Sequence, residues 1–164
     1  MPLHPLGARV DRPSMPEGYG LEDPDEGFLS WEWVTDRLTA ARNYWIASTR
    51  PDGRPHCSPV WGVWLEDAVY FSTARASRKG RNLAARPDAT IHLESGDEVV
   101  VLEGRVGEFP ADQPLDRIAA PYAEKYGMKP PLDDPTNVLY ALRPSLVLAW
   151  RESDFPKSAT RWRW

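Results

Sequence analysis

The eleven residues Thr73-Ala-Arg-Ala-Ser-Arg-Lys-Gly-Arg-Asn-Leu83 hold the densest group of chemically useful side chains in the sequence. Ser77 is a good helix N-cap, which puts Arg78, Lys79 and Arg81 in the first turn of a helix near 77–86, closed by Pro87. Cations there oppose the helix dipole at about 0.3–1 kcal/mol each when exposed, so the arrangement needs a reason. Free helix-end N–H groups beside several cations make a site for phosphate or another anion. The competing reading is a solvated basic turn that pairs with acids such as Glu94 or Asp88. Ser72 and Thr73 end the preceding strand, where their hydroxyls can join an anion site or simply close the strand.

The other reactive types are sparse. His4 lies in an N-terminal arm, His92 sits mid-strand, and His56 starts a strand beside Cys57, with no second His or Cys at metal spacing. No base is placed to activate Cys57, and neither a P-loop nor a GxGxxG fingerprint occurs. The sequence therefore offers no catalytic side chain and no metal set of its own. The tail Ser158-Ala-Thr-Arg-Trp-Arg-Trp164 admits two readings. In one, Arg161 and Trp162 serve stacking and anion pairing; in the other, a last strand docks its Trp face on the core.

The elements that must position these residues read as mainly β (α+β). Trp31, Val34, Leu38 and Ala41 fall at helical spacing behind Ser30, which predicts a helix near 30–42. Residues 43–49, 56–65 and 68–73 read as strands in an antiparallel meander, with Asp52-Gly53 as a hairpin turn and Pro59 and Gly62 marking a bulge or edge. Residues 89–94 and 99–109 form a second hairpin, 113–126 a helix, 127–136 a Pro- and Asp-rich loop, and 137–141 with 146–151 the last strand material. Residues 1–27 are an extended arm ahead of one domain, 28–164. Short strands with outer helices fit a small antiparallel barrel.

Composition narrows the function. The 164 residues carry a formal charge of −4, which opposes a surface built for nucleic acid. No run approaches the ~20 apolar residues of a membrane span, and a single cysteine suits a reducing cytoplasm. Eight tryptophans either fill the core or line a flat cofactor.

Asp52-Gly-Arg-Pro-His-Cys-Ser-Pro-Val-Trp61, Tyr70-Phe-Ser-Thr73, Ser77-Arg-Lys-Gly-Arg-Asn-Leu83 with Pro87, and Val101-Leu-Glu-Gly104 occur in this order. Together they resemble the pyridoxamine 5′-phosphate oxidase-like superfamily of split β-barrel flavoproteins, nearest its flavin/deazaflavin oxidoreductase branch. The resemblance covers about residues 36–127, with Thr160-Arg-Trp162 as a further echo. It implies a homodimer of split barrels, each of about six antiparallel strands, with FMN or the deazaflavin coenzyme F-420 in clefts between the subunits. Ser72, Thr73, Ser77, Arg78 and Lys79 would then hold the cofactor phosphate, with Asn82 close by. His56, Cys57, Ser58, Pro59, Val60 and Trp61 would run along the ring, and Arg161 and Trp162 would reach it from the partner subunit. Lys79 to Leu83 is similar to deazaflavin binders, whereas the segment by which true oxidases recognise pyridoxal phosphate has no match.

The expected activity is hydride transfer between the bound cofactor and a small electron-poor conjugated molecule such as an enone, quinone or tetrapyrrole. Trp61 or Trp64 would wall the substrate cleft and the 127–136 loop would act as a lid. The alternative is a non-catalytic flavin or haem binder on the same barrel. A barrel that stacks single-stranded nucleic acid is a third reading, opposed by the acidic balance.

Overall fold

The first hairpin closes where the sequence placed it. In this computed structural model, which describes residues 5, 7–21, 26–131 and 134–164, Gly53 takes a φ of 87° and its N–H donates to the Arg50 carbonyl at 2.9 Å. His4 lies outside the described residues. The turn joins β2 (Tyr44–Thr49) to β3 (Pro55–Val60) in antiparallel register, with Ala47 opposite Cys57. Alternation puts Tyr44, Ile46 and Ser48 inside, while β3 turns His56, Ser58 and Val60 inward and Pro55, Cys57 and Pro59 outward.

The strand expected over 56–65 is two strands. The chain breaks at Trp61, and β4 (Gly62–Leu65) leaves β2 and β3 to pair with β5 (Ala68–Ala74). Gly62 permits the crossing, since a Cβ there would lie 2.5 Å from the Tyr70 carbonyl oxygen. The expected meander is thus two hairpins, the second turned by Glu66 and Asp67, both at positive φ. This leaves β3 as an edge strand, paired with β2 alone among the described strands.

The rest of the sheet is built on β8 (Asn137–Arg151), one continuous strand where two pieces were expected. β7 (Glu98–Glu108) follows one edge of it, and β6 (Asp88–His92) continues from β7 to β2. The other edge is shared. β5 pairs along 137–142 and β9 (Thr160–Arg163) along 146–149, with Pro144, which has no N–H, at the gap between them. β1 (Arg9–Asp11), within the segment read as an arm, pairs with β9, so Asp11 accepts from Arg161 at 2.8 Å and from Arg163. The described residues thus make one nine-stranded antiparallel sheet rather than about six strands. The difference comes from the break at Trp61 and from the short β1 and β9, which carry too little pattern to read.

Among the described residues four α-helices pack on this sheet: α1 (Trp31–Ala40), α2 (Arg78–Ala85), α3 (Asp116–Tyr126) and the one-turn α4 (Phe155–Ser158). Ser30 caps α1 by accepting from the Trp33 N–H at 3.1 Å. The main core joins Val34 and Leu38 of α1 to Ile46, Phe71, Ile91, Val100, Leu102, Leu142 and Trp162. A smaller cluster under α3 holds Val63, Tyr70, Ile118 and Tyr122. Trp31 meets Trp64, Trp162 and Trp164 edge-on at 5.5–6.2 Å, so four of the eight tryptophans form one packing cluster.

Candidate functional site

Ser77 caps α2 as its spacing predicted, its Oγ accepting from the Gly80 N–H at 3.0 Å and lying 3.2 Å from Thr73 Oγ1. The helix is seated against the end of β5 by Gly80, where a Cβ would lie 2.5 Å from the Ala74 carbonyl oxygen and 2.7 Å from that of Arg75. Asn82 is wholly buried and donates to Ser48 Oγ of β2 at 3.1 Å. It therefore fastens α2 to the sheet.

The acids proposed as partners for the basic turn are engaged elsewhere. Asp88 lies 3.9 Å from Arg105, and Glu94 accepts from Asn43 at 3.4 Å. Arg78 and Lys79 have no carboxylate partner among the described residues. Lys79 is half-buried, and burial holds its ammonium below the ordinary lysine range. The acid whose charge reaches Arg78 is Asp52, itself bound to Arg54, so the solvated-turn reading lacks the partners it named.

The hairpin brings two further groups to this helix. Arg50, at the end of β2, and His56, at the start of β3, share a field with Arg78 and Lys79. Burial first, then the charges of Arg50, Lys79 and Arg78, hold the His56 imidazole below its usual range. Arg50 is the residue that sequence reasoning missed. Its one signal was a cation directly after a strand and beside the Asp52-Gly53 turn.

Several buried polar atoms here have no hydrogen-bond partner among the described residues: Arg50 Nε, His56 Nδ1, Ser58 Oγ, Ser72 Oγ and Asn82 Oδ1. Unpaired buried polar atoms cost about 1–3 kcal/mol each, so a cluster of them beside unpaired cations points to a missing polar ligand. Cations and hydroxyls suit an anion rich in acceptor oxygens.

The other end of β3 is built from aromatics. Trp61, 38% exposed, stacks on Tyr126 of α3 with centroids 4.7 Å apart and planes 7° from parallel, and Arg42 lies over both rings. Tyr126 accepts from the Gly62 N–H at 2.9 Å, and its hydroxyl lies 2.7 Å from the Arg42 carbonyl oxygen. Lys125 donates to Tyr44 OH at 3.0 Å and to the Gly62 carbonyl at 3.2 Å, and burial pushes its ammonium down to about 8. Six residues of β3 separate the two ends by roughly 17–20 Å.

Not every expected residue lies with these groups. Cys57 and Pro59 face outward, and Trp64 packs on Trp31 rather than walling a cleft. Trp162 is fully buried in its own core and Arg161 is bound to Asp11, on a strand at the opposite end of the sheet path from β3. The tail is a docked strand, with Trp162 packed in the core of its own chain. His92 stacks on Trp45 with centroids 6.3 Å apart. Among the described residues, no group of three His, Cys, Asp or Glu can hold a metal, and no helix is long and apolar enough to cross a membrane.

The sequence profile of pyridoxamine 5′-phosphate oxidase matches residues 31–151, from α1 to the end of β8. The chain belongs to this family. Membership of the pyridoxamine 5′-phosphate oxidase-like split-barrel superfamily bears out the resemblance seen in the motifs. A curated relative, a pyridoxine/pyridoxamine 5′-phosphate oxidase from Burkholderia multivorans, is 30% identical over 116 residues, covering 68% of this chain and 54% of the relative. The chain thus spans about half the length of the curated oxidase it matches. Two solved structures share the fold. A conserved hypothetical protein from Mycobacterium tuberculosis superposes with a TM-score of 0.67 at 20% identity over 79% of this chain and 89% of that one. An F420 reductase superposes with a TM-score of 0.55 at 24% identity over 68% and 94%. In this family member, the cation cluster and the aromatic end sit at the two ends of an edge strand.

Proposed function

We propose that the protein is an oxidoreductase that binds FMN or coenzyme F-420 and moves hydride between it and a small conjugated organic molecule. The observation that carries this reading is the unpaired cluster of Arg50, Arg78, Lys79 and His56 with the partnerless hydroxyls of Ser58 and Ser72 at one end of edge strand β3. Arg78 and Lys79 would hold the cofactor phosphate by charge-assisted hydrogen bonds, joined by Arg50, Ser72 and the Thr73–Ser77 hydroxyl pair. The free edge of β3 would offer backbone groups to the ring, and Trp61 would flank its far end. When bound, a flavin or deazaflavin supplies the hydride chemistry. The chain's share is then to bind, orient and exclude water. The similarity of Lys79 to Leu83 to deazaflavin binders, and the fold shared with an F420 reductase, favour F-420.

The working unit in this reading is a homodimer. A row of half-buried and exposed side chains, Pro59, Trp45, His92, Val101 and Leu148, crosses the outer face of β3, β2, β6, β7 and β8 in register and suits a second copy.

The test is a titration of the purified protein with FMN and with F-420, followed by tryptophan quenching. Binding of at least one is expected, and Lys79→Ala should weaken it by about 1–3 kcal/mol. Unchanged affinity in that variant would place the phosphate elsewhere. Turnover of an enone or quinone by the reduced cofactor separates the enzyme from a mere binder.

A further inference from the structure

We propose that His56 is a proton-taking ligand of the anion site, so that an entering dianion and a proton are captured together. The inference rests on the anion site proposed above and adds to it a role for a side chain that the ring-binding strand would otherwise only carry along.

The geometry is unusual for a histidine. His56 Nδ1 is buried and has no hydrogen-bond partner among the described residues. Three cations lie near enough for their charge to act on the ring: Arg50 from the end of β2, and Lys79 and Arg78 from α2. The nearby acid of the hairpin, Asp52, accepts from the Arg54 side chain at 2.7 Å and from its N–H at 3.1 Å, and its further field falls on Arg50 and Arg78 rather than on the ring. Ser48, opposite His56 on β2, is engaged by Asn82. β5 presents only the hydroxyls of Ser72 and Thr73, and beyond them Arg75 is closed off by Glu108 at 2.8 Å. No carboxylate among the described residues is left to favour an imidazolium. These surroundings favour the neutral ring over the imidazolium.

A dianion between Arg50, Lys79 and His56 reverses the sign of that field. It favours the charged ring, and Nδ1–H then donates to an anion oxygen, which satisfies the buried nitrogen. Coupling of this kind is reciprocal: the anion raises the proton affinity of His56, and the proton raises the affinity for the anion. Anion affinity should therefore be constant while the free ring is already protonated at low pH. It should fall as pH rises past that point, by up to roughly tenfold per unit for one proton taken up.

Sulfate is the probe, because it remains a dianion throughout and contributes no titration of its own. The His56 Cε1–H resonance of the full chain is followed from pH 5 to 9 with saturating sodium sulfate and with sodium chloride at matched ionic strength. The expected result is a titration midpoint raised by one pH unit or more in sulfate, with a sulfate Kd that weakens between pH 6 and 8. His56→Gln should bind sulfate with a Kd independent of pH over that range. A wild-type midpoint and Kd that do not respond overturn the coupling, even where sulfate binding itself is lost in Lys79→Ala. Sulfate binding that Lys79→Ala leaves intact would instead overturn the anion site, and the inference with it.

Discussion

Lys125 is held in a place that favours its neutral form. Its Nζ lies against the Tyr44 hydroxyl and the Gly62 carbonyl under α3, and burial lowers its ionisation to about 8. In the unfolded chain the same group keeps its proton to about 10.4. Between those values the unfolded state binds more protons than the folded one, so this residue's contribution to stability rises with pH from about 8 toward 10. The Lys125 Cε resonance should titrate near 8. Lys125→Met should lose the upward slope between pH 8 and 10 that the wild-type protein shows in denaturant melts; a parallel slope in both proteins would contradict this account. At this scale the sequence was informative wherever a group's role is local. Ser77 and Lys79 were legible because a cap and a first-turn cation are set within four residues. Arg50 was not, because its place beside α2 depends on a hairpin folding back against a helix that begins 28 residues later.

Helix α2 and its strand partners act as a unit. The helix start is aimed by three fastenings: the Ser77 cap, the Asn82–Ser48 bond, and the close seat of Gly80 on the end of β5. A methyl at Gly80 would meet two backbone carbonyl oxygens, neither of which can swing away. Gly80→Ala should therefore cost about 1–3 kcal/mol of stability and weaken anion binding at the same time. Calorimetric melting and the sulfate titration check both, and a stable variant with full affinity would show that the seat does not position the site. Elements that depend on one local pattern, such as α1, α2 and the β2–β3 hairpin, were readable from the sequence. The β3–β4 break was not. Residues 56–65 hold strand-forming residues throughout, with Pro59 and Gly62 marking only a bulge or edge, and it is the competing partners, β2 on one side of Trp61 and β5 on the other, that divide them. The joining of β8 through Pro144 was hidden for the opposite reason. A proline reads as an interruption, yet here it falls where the strand changes partners and no ladder hydrogen bond is needed from it.

On the scale of the whole molecule, the outer row through Trp45, His92, Val101 and Leu148 is the surface on which the dimer reading depends. Light scattering should give the mass of two chains, and Trp45→Glu, on that row, should shift it toward one chain and weaken FMN or F-420 binding. A monomeric protein that still binds its cofactor tightly would remove the two-chain cleft. The fold class and the family were legible from ordered motifs in the middle of the sequence. The two ends were not, because β1 and β9 have three and four residues and become strands only against each other.

That last pairing bears on how the protein is made. Asp11 and Arg161 are 150 residues apart, yet they share one ion pair and one strand ladder. At ~5–20 residues per second, a ribosome needs on the order of 10 s to travel between them. During that interval β9, the strand it will pair with, has not been synthesised. Among the described strands β1 thus waits longest for its partner, and Pro13 and Pro16 just beyond it lack the N–H groups through which a neighbouring chain could extend that edge.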